Sequence, residues 1–277
     1  ADLAAYDAFL ALNSNPNTDS GPTFQFTAYS NLAATDFEGY AIDLINNGPV
    51  AVDDGGATDE DTAVDIVVVA NDTDVDHLDV LSVDTFDGVS ALGAAISLNL
   101  DGSLNYDSSA AFALQSLAVG ESAVDTFSYQ VRDLAGATSI ATVTVNVAGV
   151  NDVVTLGGGD VSGAVTERAD GAPDENAVVL TDTGSIAFGD VDLSDTHTVS
   201  VAPQSGGYLG SLVAVVADDT TGDGAGSVAW QFSVDDAATD SLAVGEVLTQ
   251  SYDVTVDDGN GSTATETVTV TITGTND

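Results

Sequence analysis

The chain has 277 residues, a net charge of −43 at pH 7, only two basic residues and no cysteine. So little positive charge excludes a nucleic acid or an anionic membrane as a partner, and the lack of thiols excludes disulfides and Cys-based zinc sites. Of the 45 acidic residues 38 are Asp, which is typical of turns and of loops that supply oxygen ligands to a cation.

The N-terminal segment, residues 1–47, differs in pattern from the rest of the chain. Apolar residues at helical spacing predict a short helix over residues 1–13, and residues 23–29 and 40–45 have strand-like composition. The chain lacks a signal-peptide pattern and does not begin with Met, so we interpret it as processed or as cut from a longer protein. Two roles stay open for this segment, the tail of a preceding module and an assembly element.

Two β-rich regions follow. Short runs of alternating apolar and polar residues, separated by Gly and Asp turns, predict strands. These runs are residues 63–69, 102–106, 126–131, 138–147, 196–201, 209–216, 227–233, 251–256 and 263–273. About seven strands per 100–120 residues is typical of a Greek-key sandwich. We therefore predict an all-β fold of two tandem Ig- or cadherin-like β-sandwich domains.

An internal repeat relates the ends of the two regions. Residues 116–152 and 241–277 align without gaps, and 17 of 37 positions are identical. Each copy contains two strands joined by an Asp/Gly loop, and each ends in Gly-x-Asn-Asp. A unit of this length is a whole domain rather than a solenoid repeat. The repeat therefore predicts two domains, at residues 48–150 and 151–277.

The second domain resembles the VCBS repeat of giant bacterial RTX-type adhesins. The resemblance covers nearly the whole domain, and the run Asp-Val-Asp-Leu-Ser-Asp-Thr-His is its most specific part. The matching stretches are Gly163–Glu167, Thr183–Val201, Tyr252–Gly261 and Gly274–Asp277. The first domain resembles the cadherin-like, tandem-95 type of repeat in Gly48–Asp54, Glu60–Thr62, Ala70–Asp76, Asp101–Tyr106 and Gly149–Asp152. These resemblances imply sandwich domains strung along secreted or cell-surface proteins that serve in adhesion, biofilm matrix or extracellular assembly.

Acidic residues concentrate at the predicted ends of the domains. In a seven-stranded sandwich, loops after odd-numbered strands lie at the C-terminal end and loops after even-numbered strands lie at the N-terminal end. Residues before the second strand of one domain should therefore meet the linker and the loops of the next domain. Calcium takes about six to eight oxygen ligands, and the resemblance to cadherins predicts ligands at such junctions.

We predict one full calcium site and two half-sites. The junction between the domains would use Glu60, Asn151, Asp152, Asp190, Asp192 and Asp257 or Asp258. The N-terminal end of the first domain would use Asp74, Asp76 and Asp133 with Asn46 or Asn47. The C-terminal end of the second domain would offer Glu167, Asn276 and Asp277 to a following domain. The alternative explanations are that these are turn residues bonded to nearby backbone, and that the acidity is a halophilic surface.

Motifs for catalysis are weak. The run from Asp72 to Asp76 mimics an EF-hand loop, but His77 stands where Gly is needed and Val83 where Glu is needed. Asp182-Thr-Gly has no second copy, so the paired aspartates of an acid protease are missing. His77 and His197 lie in Asp-rich loops and are interpreted as loop residues or neighbours of calcium. We predict that the chain is not an enzyme.

Three functions fit the sequence. The favoured one is a calcium-stiffened structural repeat region of a secreted or cell-surface bacterial adhesin or biofilm matrix protein. The alternatives are a protomer of an extracellular filament, sheath or surface layer that assembles through its ends, and a carbohydrate-binding accessory module. The expected partners are neighbouring repeats or identical subunits, with surface glycans or other cells as further candidates. A carbohydrate site would need an exposed aromatic row, whereas the alternating aromatic residues are predicted to be core: Tyr106, Phe127, Tyr129, Trp230 and Tyr252.

Overall fold

The computed structural model describes residues 46–76 and 79–275. The helix predicted for residues 1–13 and the strands predicted for residues 23–29 and 40–45 lie outside the described residues. Within the described part, strands and turns make up almost all of the regular structure, and no helix there is long and apolar enough to cross a membrane.

The first sandwich packs two sheets around one core. Its sheets have the strand orders β1-β7-β6-β3 and β2-β5-β4. The bounds are β1 (Asp54–Asp59), β2 (Val64–Ile66), β3 (Ser82–Phe86), β4 (Ala95–Leu98), β5 (Leu104–Asp107), a one-turn helix α1 (Phe112–Gln115), β6 (Ser122–Arg132) and β7 (Thr138–Ala148). Both sheets contribute to the core, with Leu104 and Tyr106 on one side and Val143 and Val145 on the other.

The second sandwich has the sheet orders β12-β13-β10-β8 and β11-β14-β15-β9. Its core is separate from the first and centres on Trp230, Phe232 and Val270. The bounds are β8 (Thr155–Gly159), β9 (Ser162–Thr166), β10 (Val179–Gly189), β11 (Thr198–Pro203), β12 (Ser211–Asp218), β13 (Ala225–Asp235), a 3₁₀ turn (Asp236–Ala238), β14 (Val247–Asp257) and β15 (Thr263–Thr273). The prediction of two all-β sandwiches is confirmed.

The Thr-Val alternation of the final strands produces the core of each sandwich. In β7, Val143, Val145 and Val147 have no exposed surface, whereas Thr144 and Asn146 between them are partly or fully exposed. In β15, Val268 and Val270 are buried in the same way. Because a strand has a period of two, this alternation puts one continuous apolar face against the opposite sheet.

One parallel strand pairing recurs in both sandwiches. Strand β1 pairs parallel with β7, and β9 pairs parallel with β15. Directly after β1 and β9, the N–H of Glu60 donates to Ala148 O at 3.1 Å and the N–H of Glu167 donates to Thr273 O at 3.0 Å. Each glutamate therefore lies beside the end of the last strand of its own sandwich, where the chain leaves that sandwich.

All nine predicted runs coincide with strands, although several bounds differ. Six strands of the described part were not predicted from alternation: β1, β3, β4, β8, β9 and β10. Five of these, all except β10, are edge strands, and β1 and β8 are rich in glycine. Edge strands bury less apolar surface, so their sequences carry a weaker alternation.

Candidate metal centre

Glu60 is fixed rigidly at the C-terminal end of the first sandwich. Its side chain is fully buried, and its carbonyl oxygen accepts hydrogen bonds from Ser108 Oγ at 2.6 Å and from Gln115 Nε2 at 2.8 Å. The carboxylate oxygen Oε1 accepts the N–H of Val150 at 2.8 Å. The other oxygen, Oε2, is buried and has no hydrogen-bond partner in the part of the chain that the structure describes.

Asp192 approaches the same point from the second sandwich. It is fully buried in the loop after β10, and its own N–H donates to Asp190 Oδ1 at 3.0 Å. Its Oδ2 accepts the N–H of Asp152, a linker residue, at 2.9 Å. Oδ1 of Asp192 and Oδ2 of Asp152 are both buried and accept no hydrogen bond from any described residue. The second sandwich therefore binds the linker through the Asp192 carboxylate, which keeps one oxygen available to a ligand.

Three carboxylates meet at this junction. Glu60, Asp152 and Asp192 each offer an oxygen, and these oxygens lie within 4.8 Å of one another. One comes from the first sandwich, one from the linker and one from the second sandwich. The amide oxygen of the neighbouring Asn151 is also buried without a partner. Buried, unpaired anionic oxygens are costly unless a positive charge compensates them.

No arginine supplies that charge. The two arginines of the chain form ion pairs at the surface, Arg132 with Asp84 at 3.4 Å and Arg168 with Asp174 at 3.0 Å. The cluster has the hard oxygen donors that Ca²⁺ prefers, and it lies where ligands from two domains can share one ion.

Burial and mutual repulsion shift the acidity of the cluster. Burial raises the pKa of Glu60 to about 7, with a further rise from the charges of Asp192 and Asp152 and an opposing effect of the Val150 N–H. Burial likewise raises the pKa of Asp192 to about 6, and it raises the pKa of Asp152. These carboxylates are therefore poorly stabilised as anions by the protein alone.

The other residues predicted for the junction have supporting positions. Asp190 is buried, with Oδ1 bonded to Asp192 N and Oδ2 bonded to His197 Nε2 at 3.1 Å.

Asp258 Oδ2 accepts a hydrogen bond from Asn151 Nδ2 at 3.1 Å, while its Oδ1 accepts three backbone N–H groups of its own turn. Burial would raise the pKa of Asp258, but these hydrogen bonds outweigh it and lower the pKa. Asp257 is not among the three clustered carboxylates, and its Oδ1 accepts the N–H of Gly259 at 2.8 Å, as in a turn.

A second acidic cluster lies at the N-terminal end of the first sandwich. Asp74, Asp76 and Asp79 offer oxygens within 4.8 Å of one another, and Asp74 and Asp79 each keep a buried oxygen that no described residue contacts by a hydrogen bond. Asn47 N donates to Asp76 Oδ2 at 2.7 Å. Burial raises the pKa of Asp79, with further rises from its acidic neighbours.

Asp133, predicted for this second cluster, forms a hydrogen bond with Asn46, which precedes the first sandwich. Its Oδ2 accepts Asn46 Nδ2 at 2.9 Å, and its Oδ1 accepts the N–H groups of Gly136 and Ala137. The Asn46 bond holds the pKa of Asp133 below its usual range. Asp79 was missed by sequence reasoning, although Asp74-x-Asp76-x-x-Asp79 has the same spacing as Asp190-x-Asp192-x-x-Asp195.

Glu167 repeats the geometry of Glu60 in the second sandwich. It is buried, and its Oε2 accepts the N–H of Thr275 at 2.7 Å, while its buried Oε1 has no partner among residues 46–76 and 79–275. Thr275 occupies the position that Val150 has in the first copy of the repeat. Asn276 and Asp277, also predicted as ligands, lie outside the described residues.

His197 contacts Asp190, next to the three clustered carboxylates, but is not one of the cluster. Its buried ring bonds Asp190 through Nε2 and Asp219 Oδ1 through Nδ1 at 2.8 Å, and it packs against Phe188 with ring centroids 4.9 Å apart. It therefore links the loop after β10 to the β12–β13 turn. The sequence placed it in an Asp-rich loop without indicating these contacts.

The aromatic residues predicted as core are buried. Tyr106, Phe127, Tyr129, Trp230 and Tyr252 are each at most 3% exposed. Trp230 packs against Gly184 and donates its indole N–H to Asp160 O at 2.6 Å. These five side chains form no platform on which a sugar ring can stack.

Comparison with known proteins gives one family match. Residues 46–149 match the model of the bacterial cadherin-like domain. No curated protein matches the sequence of the chain.

The solved structures with similar folds include several cadherins. Human CDH23 EC21-23 is 17% identical, with 82% of this chain and 69% of that chain covered and a TM-score of 0.46. Human mucin-like protocadherin EC1-2 is 13% identical, with 83% and 98% covered and a TM-score of 0.40. Protocadherin gamma B2 cadherin domains 3-6 are 13% identical, with 81% and 46% covered and a TM-score of 0.42. These likenesses identify neither a ligand nor a partner of this chain.

Proposed function

We propose that this chain is a calcium-stiffened structural repeat region of a secreted or cell-surface bacterial adhesin or matrix protein. One observation carries the proposal: Glu60, Asp152 and Asp192 meet at the junction with three buried, unpartnered oxygens. A structural repeat needs a defined angle to its neighbour, and a cation held by both neighbours would supply it. The two sandwiches then act as modules, with boundaries at residues 48–150 and 151–277.

Calcium is the cation that this donor set suits. The candidate ligands are carboxylates, the Asn151 amide and nearby carbonyls, all of them hard oxygen donors. Magnesium demands near-ideal octahedral geometry and sheds water reluctantly, so an irregular set from three chain segments favours the larger ion. Extracellular calcium modules typically bind with dissociation constants of about 10⁻⁴–10⁻³ M. At free calcium tenfold above that constant, one site stabilises the folded state by about 1.4 kcal/mol.

The mechanism is electrostatic. Without the ion, three clustered carboxylates repel one another across the junction, and this repulsion favours separation of the two sandwiches. With the ion, Glu60 and Asp192 bind one positive charge from opposite sides, and Asp152 ties the linker to it. The Asp74–Asp79 cluster and Glu167 would offer equivalent sites to neighbouring repeats or identical subunits.

The adhesin context rests on sequence. Residues 46–149 match a bacterial cadherin-like domain, and residues 151–277 resemble the VCBS repeat of RTX-type adhesins. Both point to an extracellular, non-enzymatic role in adhesion or matrix. The chain would contact neighbouring repeats, and through the assembled protein it would reach glycans or other cells.

Calcium titration by calorimetry, combined with small-angle scattering, tests the proposal. We expect calcium to bind with a sub-millimolar or millimolar dissociation constant and to narrow the distribution of interdomain distances. Magnesium should do neither at the same concentration. Asp192→Asn should weaken calcium binding at the junction by about tenfold or more. The scattering profile of this variant in calcium should equal its profile in chelator.

A matched control is Glu266→Gln, which removes one charge from a half-buried residue of β15 whose side chain forms no hydrogen bond with the described residues. This variant should bind calcium as the parent does. If calcium leaves both the scattering profile and the melting temperature of the parent unchanged, the junction site does not exist as proposed.

A further inference from the structure

The second sandwich has a long edge strand, β12, that is paired on one side only. Within the described residues β12 pairs only with β13, so one of its sides has no partner. With eight residues it is the longest edge strand there, since the other edge strands have six residues or fewer. Because a long apolar edge pairs readily with another chain, edge strands are normally short or carry charged residues or proline.

Strand β12 lacks these protections. Residues 198–217 contain no charged side chain, in a chain whose net charge is −43. On the outer face of the sheet, Val213 is 57% exposed and Val215 is 60% exposed. The one irregularity is a bulge between Val216 and Asp218, at the very end of the strand.

The ladder pattern shows which backbone groups are free. Asp236 N donates to Val178 O at the end of the β10–β13 ladder, so even-numbered residues of β13 bond to β10. Odd-numbered residues of β13 then bond to the odd-numbered residues of β12, because antiparallel neighbours alternate. The N–H and C=O groups of Leu212, Ala214 and Val216 therefore point away from the sheet along an open edge.

We propose that this edge binds the β12 edge of a second copy of the chain, in antiparallel register centred on Ala214. Ala214 then forms the hydrogen-bonded pair with its own equivalent. Val213 lies opposite the partner's Val215 on the outer face, and Leu212 lies opposite the partner's Val216 toward the core. Two four-stranded sheets become one continuous eight-stranded sheet.

Charge favours this partner and this direction. An antiparallel arrangement places Asp218 opposite Gly210 of the other copy, within the uncharged run of residues 198–217. A parallel arrangement would place Asp218 and Asp219 of the two copies side by side, which is unfavourable. With a net charge of −43 the chain as a whole repels a second copy, whereas this edge is uncharged and presents unpaired main-chain groups.

The mass of the full chain in solution tests the proposal. At about 100 µM with calcium present, light scattering should give a species of twice 27.7 kDa. Ala214→Pro should give a monomer with a nearly unchanged melting temperature, because the N–H that proline removes points away from β13. Val213→Lys should also give a monomer, whereas Val247→Lys, at another exposed valine, should remain a dimer.

Disulfide trapping tests the register, because the chain has no native cysteine. Opposed residues of a non-hydrogen-bonded antiparallel pair have Cα atoms about 4.5 Å apart, within the range that a disulfide spans. A mixture of Val213→Cys and Val215→Cys under oxidised glutathione should cross-link at least tenfold more than either variant alone. Equal cross-linking in all three samples would overturn the register.

Two outcomes would overturn the proposal itself. A monomer at all concentrations would show that the edge stays free, and it would leave the calcium junction untouched. Dimers that survive Ala214→Pro but dissociate with Phe24→Asp and Phe26→Asp would show that residues 23–29 mediate assembly instead.

Discussion

Asp152 donates its backbone N–H to Asp192 Oδ2 at 2.9 Å, so a carboxylate of the second sandwich holds the linker that leads into it. The same carboxylate leaves Oδ1 buried and free toward Glu60. One side chain therefore both orients the linker and offers a ligand to a cation. The coupling of these two roles makes the junction sensitive to single substitutions.

Glu60→Gln should have opposite effects with and without calcium. Burial raises the pKa of Glu60 to about 7, which means that the ionised side chain is unfavourable in the metal-free fold. The neutral amide still accepts from Val150, and its N–H₂ group can donate to the nearby carboxylates. We expect the melting temperature of the chelated variant at pH 7.5 to rise by about 2–4 °C, and its response to calcium to shrink. A lower melting temperature of the chelated variant would contradict this account of the cluster.

The metal-free protein should become less stable as the pH rises from about 4.5 to about 7. The pKa of Glu60 is 4.5 in the unfolded chain and about 7 in the folded protein, and the pKa of Asp192 is 3.8 in the unfolded chain and about 6 in the folded protein. Within this window the folded state binds more protons than the unfolded state, so the free energy of unfolding falls with increasing pH. Calorimetric scans in chelator should show a higher melting temperature at pH 5 than at pH 7.5. Calcium should raise the melting temperature more at pH 7.5, where the carboxylates are ionised, and a larger effect at pH 5 would refute the assignment.

His197→Ala should weaken calcium binding although His197 is not in the cluster. The substitution leaves Asp190 Oδ2 and Asp219 Oδ1 without their ring partners. Asp190 then loses the contact that orients it toward Asp192 N, and residues that orient ligands typically change affinity by about tenfold or more. Calorimetric titration should show this loss, and His197→Gln should restore part of the affinity. An unchanged affinity in His197→Ala would show that the loop after β10 is rigid without it.

Gly184→Ala should destabilise the second sandwich strongly. A Cβ at this position would lie 2.4 Å from Trp230 Cζ2, and the indole is pinned by its bond to Asp160. Overpacking of this kind typically costs about 1–3 kcal/mol. Chemical denaturation should show the second sandwich unfolding at lower denaturant concentration. Gly206→Ala is the matched control, because nothing lies within 4 Å of its added Cβ, and it should unfold like the parent.

Much of the fold was predictable because its causes are local. Thr-Val alternation in residues 138–147 and 263–273 specifies strands with one apolar face, and the two copies of the repeat specify the same ending twice. The sequence also indicated Glu60, Asp152 and Asp192 together, because strand order assigns loops to the two ends of a sandwich. Edge strands such as β1 and β8 were missed, since partial burial leaves little alternation to detect.

Tertiary structure alone decided which acids share a site and which complete a turn. Asp257 and Asp258 are adjacent aspartates, yet Asp257 accepts a hydrogen bond within its turn while Asp258 also accepts one from the amide of Asn151. Asp79 places a carboxylate oxygen within 4.8 Å of those of Asp74 and Asp76. The position of a carboxylate oxygen depends on backbone geometry within a few ångströms, which composition and spacing do not encode. By itself the sequence determined an acidic, cysteine-free, all-β repeat, and only packing decided where its negative charges converge and which strand edge stays open.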